Sequence, residues 1–300
     1  MNNPSTAFDE SRSWGEFQPS GLARFLFGVL YGLPRTRRPF YSVSKLVRGP
    51  IKNAQPRVFD VYVLGLFMRL LTRGNYCETT LLFSPQFYDA EELDWVCNSL
   101  YTGDVFLDIG ANVGLYSLIA ARQCPGVRVI AIEPDPLLAN RMKFNARNNG
   151  LIIESVPLAL SDYEGVGTLQ RSEYQSGGNQ LAVHKDRPSN NSELADVNQA
   201  NRNIFDVHVS TLIALCEEHG ITKIGTLKID IEGHELKVLA HFFQNAPKTL
   251  WPNHIVIERV HDSGGIVPRL IKDYGYRERA SSARNVLLDN TNSSAVEIDG

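Results

Sequence analysis

Long apolar runs are missing from this 300-residue chain. The longest, Leu22 to Leu33, is shorter than the ~20 residues that a bilayer-spanning helix needs. Cysteine is scarce: Cys77, Cys97, Cys124 and Cys216 are scattered and form no C-x-x-C pair. That argues against a zinc site and against a disulfide framework, so a reducing, cytosolic compartment is the expectation. The first residues lack the basic start and apolar core of a secretion signal. Strong charge of either sign is missing too. A formal net charge of −3 creates no global field for nucleic acid. Acidic residues are absent from Gly21 to Pro56, whereas Arg24, Arg35, Arg37, Arg38, Lys45, Arg48 and Lys52 fall there, with Arg57 next. The glycine pattern G-x-G-x-x-G of dinucleotide-binding folds does not occur where a strand–turn–helix is expected.

What stands there instead is Val105-Phe-Leu-Asp-Ile-Gly-Ala-Asn-Val-Gly114. Val105 to Leu107 reads as a buried strand, Gly110 and Gly114 bracket a tight turn, and Leu115 to Arg122 is patterned as a helix. A helix N-terminus after a glycine turn presents backbone N–H groups to a polar ligand. An acid, Asp108, precedes the first glycine, and Asn112 stands where a pyrophosphate would need a second one. Both features suit a cationic, phosphate-free ligand such as S-adenosylmethionine (SAM). Arg128 to Ile132 then reads as a second strand, ended by Glu133. A carboxylate at that tip, ~20 residues beyond the first turn, is placed to accept hydrogen bonds from a ribose diol.

The remaining chain divides into three parts. Residues 1–57 form an N-terminal extension, disordered over 1–20 and apolar then basic over 22–57. That second stretch suits a helix lying on an anionic membrane surface, or one packed on the catalytic domain. Residues 58–104 cap the core with a hairpin over Val58 to Leu71 and a helix from Tyr88 to Leu100. Residues 105–300 form the core. In it, strands are expected at Ile152–Leu160, Gly165–Leu169, Phe205–Val209, Thr226–Ile231 and His254–Glu258, with a final pair at Tyr276–Ala280 and Asn285–Asp289. Residues 172–204 are polar and read as a flexible loop or a lid over the substrate. Strands alternating with helices define an α/β fold with a doubly wound, mostly parallel sheet, its ligand at the strands' carboxyl ends. Asp108, Glu133, Asp162, Asp230 and Glu258 are all expected at that edge.

Leu107-Asp-Ile-Gly-Ala-Asn-Val-Gly-Leu-Tyr116, Ile132-Glu-Pro-Asp135, Ala159-Leu-Ser-Asp162, Leu227-Lys-Ile-Asp-Ile-Glu-Gly-His-Glu235 and Ile257-Glu258 together resemble the FkbM-type SAM-dependent methyltransferases over about residues 58–290. The resemblance implies a Rossmann-like class I methyltransferase fold, with a seven-stranded sheet and a terminal antiparallel strand. It implies O-methylation of a sugar, glycan or natural-product hydroxyl. It assigns Asp108, Gly110, Asn112 and Gly114 to the methionine part of SAM, Glu133 to the ribose and Asp162 to the adenine amino group.

Methyl transfer to a hydroxyl needs alignment and removal of a proton. Asp230, Glu232 and His234 are the candidate catalytic residues, with Asp230 foremost because it ends the fourth core strand. A divalent metal is compatible with these oxygens but not demanded by their spacing, so metal-independent catalysis is expected. The acceptor is expected to be a small molecule, a sugar or a lipid-linked glycan. A non-catalytic SAM-fold binding protein and a nucleic-acid methyltransferase are the alternatives. The latter is disfavoured by the missing N-P-P-Y type of amino-group site.

Overall fold

The computed structural model describes residues 8–33, 48, 49, 51, 57–171, 179–183, 203–258 and 265–292. A helix, α1 (Gly21–Tyr31), precedes a hairpin of β1 (Val58–Val63) and β2 (Leu66–Leu71). Two helices follow, α2 (Tyr76–Phe83) and α3 (Ala90–Asn98). The core begins with β3 (Val105–Ile109), α4 (Leu115–Gln123), β4 (Arg128–Ile132), α5 (Pro136–Asn148) and β5 (Glu154–Val156). Then come β6 (Ala159–Leu160), β7 (Gly165–Gln170), β8 (Gln180–Val183) and β9 (Ile204–Ser210). The chain returns through α6 (Leu212–Glu218), β10 (Thr226–Ile229), α7 (Glu235–Asn245), β11 (His254–Glu258), α8 (Ile266–Tyr274), β12 (Tyr276–Ser281) and β13 (Asn285–Asn290).

Seven strands form the main sheet in the order β12-β13-β11-β10-β3-β4-β5. All pairs from β11 to β5 are parallel, and β13 alone runs against its neighbours. The central strands are short apolar runs, such as Val-Phe-Leu-Asp-Ile in β3, because helices cover both faces and leave no polar side. The chain winds outward from β3 to β5 and restarts at β10 on the other side of β3. Ligands in such sheets bind beyond the carboxyl ends at this reversal.

Three expectations change. Ile152 to Leu160 is not one strand. β5 pairs with β4 in the main sheet, whereas β6 pairs with β9 in a second, four-stranded sheet of order β6-β9-β7-β8. Pro157 lies between them; it has no N–H to give a ladder, and the chain changes sheets there. Asp162 therefore follows a strand of the second sheet, not a carboxyl end of the main one. The stretch read as a loop or lid contains β8, antiparallel to β7; its residues 172–178 and 184–202 lie outside the described residues. Finally, residues 8–20 are ordered rather than disordered. Phe8 is buried, and backbone groups from Asp9 to Phe17 close on the buried Arg69–Asp60 pair of the hairpin.

The hairpin turns through Leu64 and Gly65, both at positive φ, as a two-residue turn matching strand twist requires. It is bolted to the core: Asn145 of α5 accepts from the Arg69 backbone N–H at 2.8 Å, and Arg141 pairs with Glu78 of α2 at 2.7 Å. On α1, Phe27 and Leu30 are buried, and the Phe27 ring meets Phe59 and Phe83 at 5.3 and 6.0 Å. No described helix is long and apolar enough to cross a membrane.

Candidate active site

β3 and β10 lie side by side, so the turns that follow them meet. Gly110 has φ +74°, and a Cβ there would lie 1.9 Å from the Asp230 carbonyl oxygen. Only glycine allows this crossing. Gly114 caps α4 at φ +82°, and a Cβ there would lie 2.3 Å from Met142 Cγ. These two glycines bring the first turn hard against β10 and α5. Gly110→Ala should cost at least ~2 kcal/mol in denaturant unfolding, because left-handed strain adds to a backbone clash. Unchanged stability would show that the turn yields freely.

Above the turns is a cleft with an empty volume of about 890 Å³, mouth included, within the range of small-ligand sites. Gly110, Ala111, Asn112, Glu133 and Pro134 form one side of it. Lys228, Asp230, Ile231, Glu232 and His234 form another, and Cys77, Tyr88 and Tyr116 a third. Leu158, Leu160, Leu169 and Leu181 supply an apolar wall.

Six of the nine residues expected at the site therefore reach the cleft: Gly110, Asn112, Glu133, Asp230, Glu232 and His234. Asp108, Gly114 and Asp162 are not on its lining. Asp108 is fully buried beneath the turn. Its Oδ2 accepts from the Ser117 N–H at 3.1 Å and the Ser117 hydroxyl at 2.7 Å, and Oδ1 faces Lys228 Nζ at 3.3 Å. It tethers α4 to β3. Gly114 acts through packing. Asp162 accepts from Ser161 Oγ and lies near enough to His234 to favour its charged form. Glu258 is buried and paired with Arg284 at 2.7 Å.

Glu133 is held by backbone donors. Its Oε2 accepts from the Asn112 N–H at 2.8 Å and its Oε1 from the Asp135 N–H at 2.9 Å. Burial, reinforced by the Asp135 charge, pushes its pKa up to about 8. Asn112 sits at φ 55°, a conformation asparagine tolerates better than most side chains. Its amide oxygen accepts from Asn75 at 2.7 Å, so the side chain fastens the turn to α2. Glu232 also has positive φ, 55°, at the turn into α7. Such strain concentrates at functional sites. Glu235 accepts from the Ile231 N–H at 2.8 Å and fixes that turn.

Asp230 lines the cleft and is half-buried. Burial pushes its pKa up to about 7; Lys228 opposes the shift, and Glu258 and Glu232 add to it. His234 caps no N–H of α7, and its Nε2 has no hydrogen-bond partner. Burial and Lys237 hold its pKa below the ordinary value, against the opposing charge of Asp162.

Two features were not read from the sequence. The first is Lys228. Its Nζ donates to the Gly110 carbonyl at 2.9 Å and lies 5.4 Å from the Tyr116 ring centroid. Burial works against its charge, but Asp108 and Asp230 more than offset this and push its pKa up. A lysine inside a short apolar central strand was the available signal. The second is a clamp formed by Arg171, which grips Asp135 through two bonds of 2.7 and 2.6 Å. Asn179 adds a third bond to Asp135 at 3.0 Å. The clamp draws the second sheet over the cleft. Its members are 36 and 44 residues apart from Asp135 in the chain, and no local pattern joins them.

The residues present fit SAM. Glu232 on the cleft lining suits its positive charges, and Glu133, on the same lining, offers a carboxylate to a diol. Among the described residues no group of three or more His, Cys, Asp or Glu is arranged to hold a metal ion. Fold and cleft together define a class I SAM-dependent methyltransferase.

Comparison with known proteins narrows the class. The Methyltransferase FkbM domain matches residues 108–278. The 31-O-demethyl-FK506 methyltransferase FkbM of Streptomyces tacrolimicus is 30% identical over 201 residues, covering 59% of this chain and 74% of that protein. Methyltransferase sdnD of Sordaria araneosa is 26% identical over 227 residues, covering 67% and 83%. Among solved structures, a methyltransferase FkbM from Methylobacillus flagellatus KT aligns with a TM-score of 0.38 at 15% identity, over 63% of this chain and 44% of that one. The chain belongs to the FkbM methyltransferase family.

Proposed function

We propose that this enzyme methylates a hydroxyl oxygen of a sugar, glycan or other natural-product acceptor, with Asp230 taking the hydroxyl proton. SAM supplies the activated methyl group. The single observation that carries the reading is Asp230, a carboxylate on the cleft lining whose pKa is pushed up to about 7. A base poised near working pH is at its most effective. Lys228 beside it favours the ionised form. The name of the Streptomyces relative, a 31-O-demethyl-FK506 methyltransferase, supports oxygen as the methylated atom and a natural product as the acceptor. Tyr88 and Tyr116 add aromatic surface to the cleft lining. Four free cysteines fit a reducing cytosol as the place of action. The test is a panel of hydroxyl acceptors incubated with methyl-labelled SAM, the product read by NMR. An O-methyl resonance supports the proposal; transfer only to nitrogen or carbon overturns it.

Glu133 holds the ribose in this reading. The diol donates to the carboxylate and so stabilises its ionised form; binding then releases a proton. SAM affinity should therefore rise with pH through about 8, the value to which Glu133 is pushed. Calorimetric titration across that range checks it. Glu133→Gln should flatten the dependence and weaken binding by roughly ten- to a hundredfold, as expected for loss of charged hydrogen bonds. A pH-independent affinity in the native protein would remove Glu133 from the ribose.

A further inference from the structure

We infer that α1 is a docking face for an anionic lipid surface. The helix carries apolar residues on two faces. One packs inward through Phe27 and Leu30. The other presents Leu22, Phe25 and Val29, which are 69%, 66% and 39% exposed. Their spacing of three and four residues puts them in one row. Three of the ten large apolar residues exposed among the described ones thus fall on a single helix of 11 residues. Isolated exposed apolar residues are ordinary, but a row of them on one helix marks a contact surface.

Charge names the occupant. The helix and the stretch that follows it carry Arg24, Arg35, Arg37, Arg38, Lys45, Arg48, Lys52 and Arg57, with no acid from Gly21 to Arg57. An apolar helical face followed in the sequence by a basic stretch without acids suits a bilayer with anionic headgroups, which takes apolar side chains at its acyl boundary and attracts cations to its surface. A second protein copy would have the same basic stretch and be repelled by it.

The surface lies one helix from the cleft. Tyr31 donates to the Leu82 carbonyl of α2 at 3.2 Å, Gln86 donates to the Leu30 carbonyl at 3.1 Å, and Cys77 of α2 lines the cleft. Lipid contact would bring the cleft close to acceptors held at a membrane. The docking surface does not depend on the acceptor proposed above or on Asp230.

The experiment is co-sedimentation of the full chain with phosphatidylglycerol–phosphatidylcholine vesicles and with phosphatidylcholine vesicles. Binding is expected on the anionic vesicles only, weakening as salt is raised. The triple variant Leu22→Ser, Phe25→Ser, Val29→Ser should bind roughly tenfold or more weakly, since the inserted apolar area is lost. Calorimetric SAM binding equal to that of the native chain certifies that it is folded. Arg35→Gln, Arg37→Gln, Arg38→Gln, which removes three positive charges and no acid, should also weaken binding. Equal binding to both vesicle types, or none to either, overturns the inference. So does a native dimer in light scattering that the triple variant makes monomeric, because the face would then belong to a second copy.

Discussion

Asp230→Asn should lower turnover by about 10²- to 10⁴-fold and leave SAM affinity within a few-fold of the native value, because a positioned base contributes about that factor. In barrier height this is about 3–5 kcal/mol. The substitution keeps the shape of the side chain and removes its capacity to accept a proton. It also removes a negative charge near Lys228, but Asp108, 3.3 Å from Nζ, still neutralises that ammonium. Binding of SAM should therefore survive where chemistry does not. A variant with near-native turnover would take the base role from Asp230.

The pH profile separates Asp230 from His234. Only the unprotonated carboxylate accepts a proton, so kcat/KM, which reports the free enzyme, should rise with pH, reach half its plateau near the pKa of about 7, and stay flat above. A carboxylate at its ordinary value would give no change between about pH 6 and 8. His234 is held below its ordinary value by burial and Lys237. If His234 were the base, the inflection would lie below about 6.5. Asp230→Asn should abolish the limb near 7 along with the rate.

Much of this site was legible because its chemistry is local. The turn Asp108–Gly114 and the turn Asp230–Glu235 each contain their own glycines, acids and caps within a few residues, and periodicity places them after strands. The sheet followed from the same alternation, and β4 and β11 fall where their apolar runs begin and end, whereas β3 runs on through Asp108 to Ile109. Three kinds of information were not local. Whether an acid points into the cleft or under it depends on packing: Asp108 and Glu133 both come at the ends of parallel strands, yet Asp108 caps Ser117 and Glu133 faces the cleft. Which sheet a strand joins is decided by distant partners, as for Ala159–Leu160 with β9. And a polar N-terminus gives no hint of order when its backbone, rather than its side chains, makes the bonds.

That last case sets the largest stability effect. Arg69 and Asp60 are both fully buried, joined by bonds of 2.7 and 2.9 Å. The guanidinium also donates to the carbonyls of Asp9, Arg12 and Ser13, and stacks between Phe17 and Phe144 at 4.7 and 4.4 Å. Asp60 in turn accepts from the N–H groups of Gly15 and Phe17. Asp60→Ala leaves a buried cation facing only carbonyl dipoles and orphans two backbone donors. Such half-broken pairs cost about 3–5 kcal/mol, or roughly 5–8 °C of Tm for a chain of this size. The double variant Asp60→Leu, Arg69→Met removes both charges and should recover much of that loss. It cannot hold residues 8–20, whose backbone bonded to the lost groups, so that segment should become open to protease in the double variant although the core is restored. If both variants keep native stability and native protection, the pair is not what orders the segment. A consequence reaches the cleft: the hairpin carries α2 through the Leu71 N–H bond to Glu78, and Asn75 at the start of α2 holds Asn112. Loosening the pair should therefore weaken SAM binding, through a contact that begins outside the domain matched to the family.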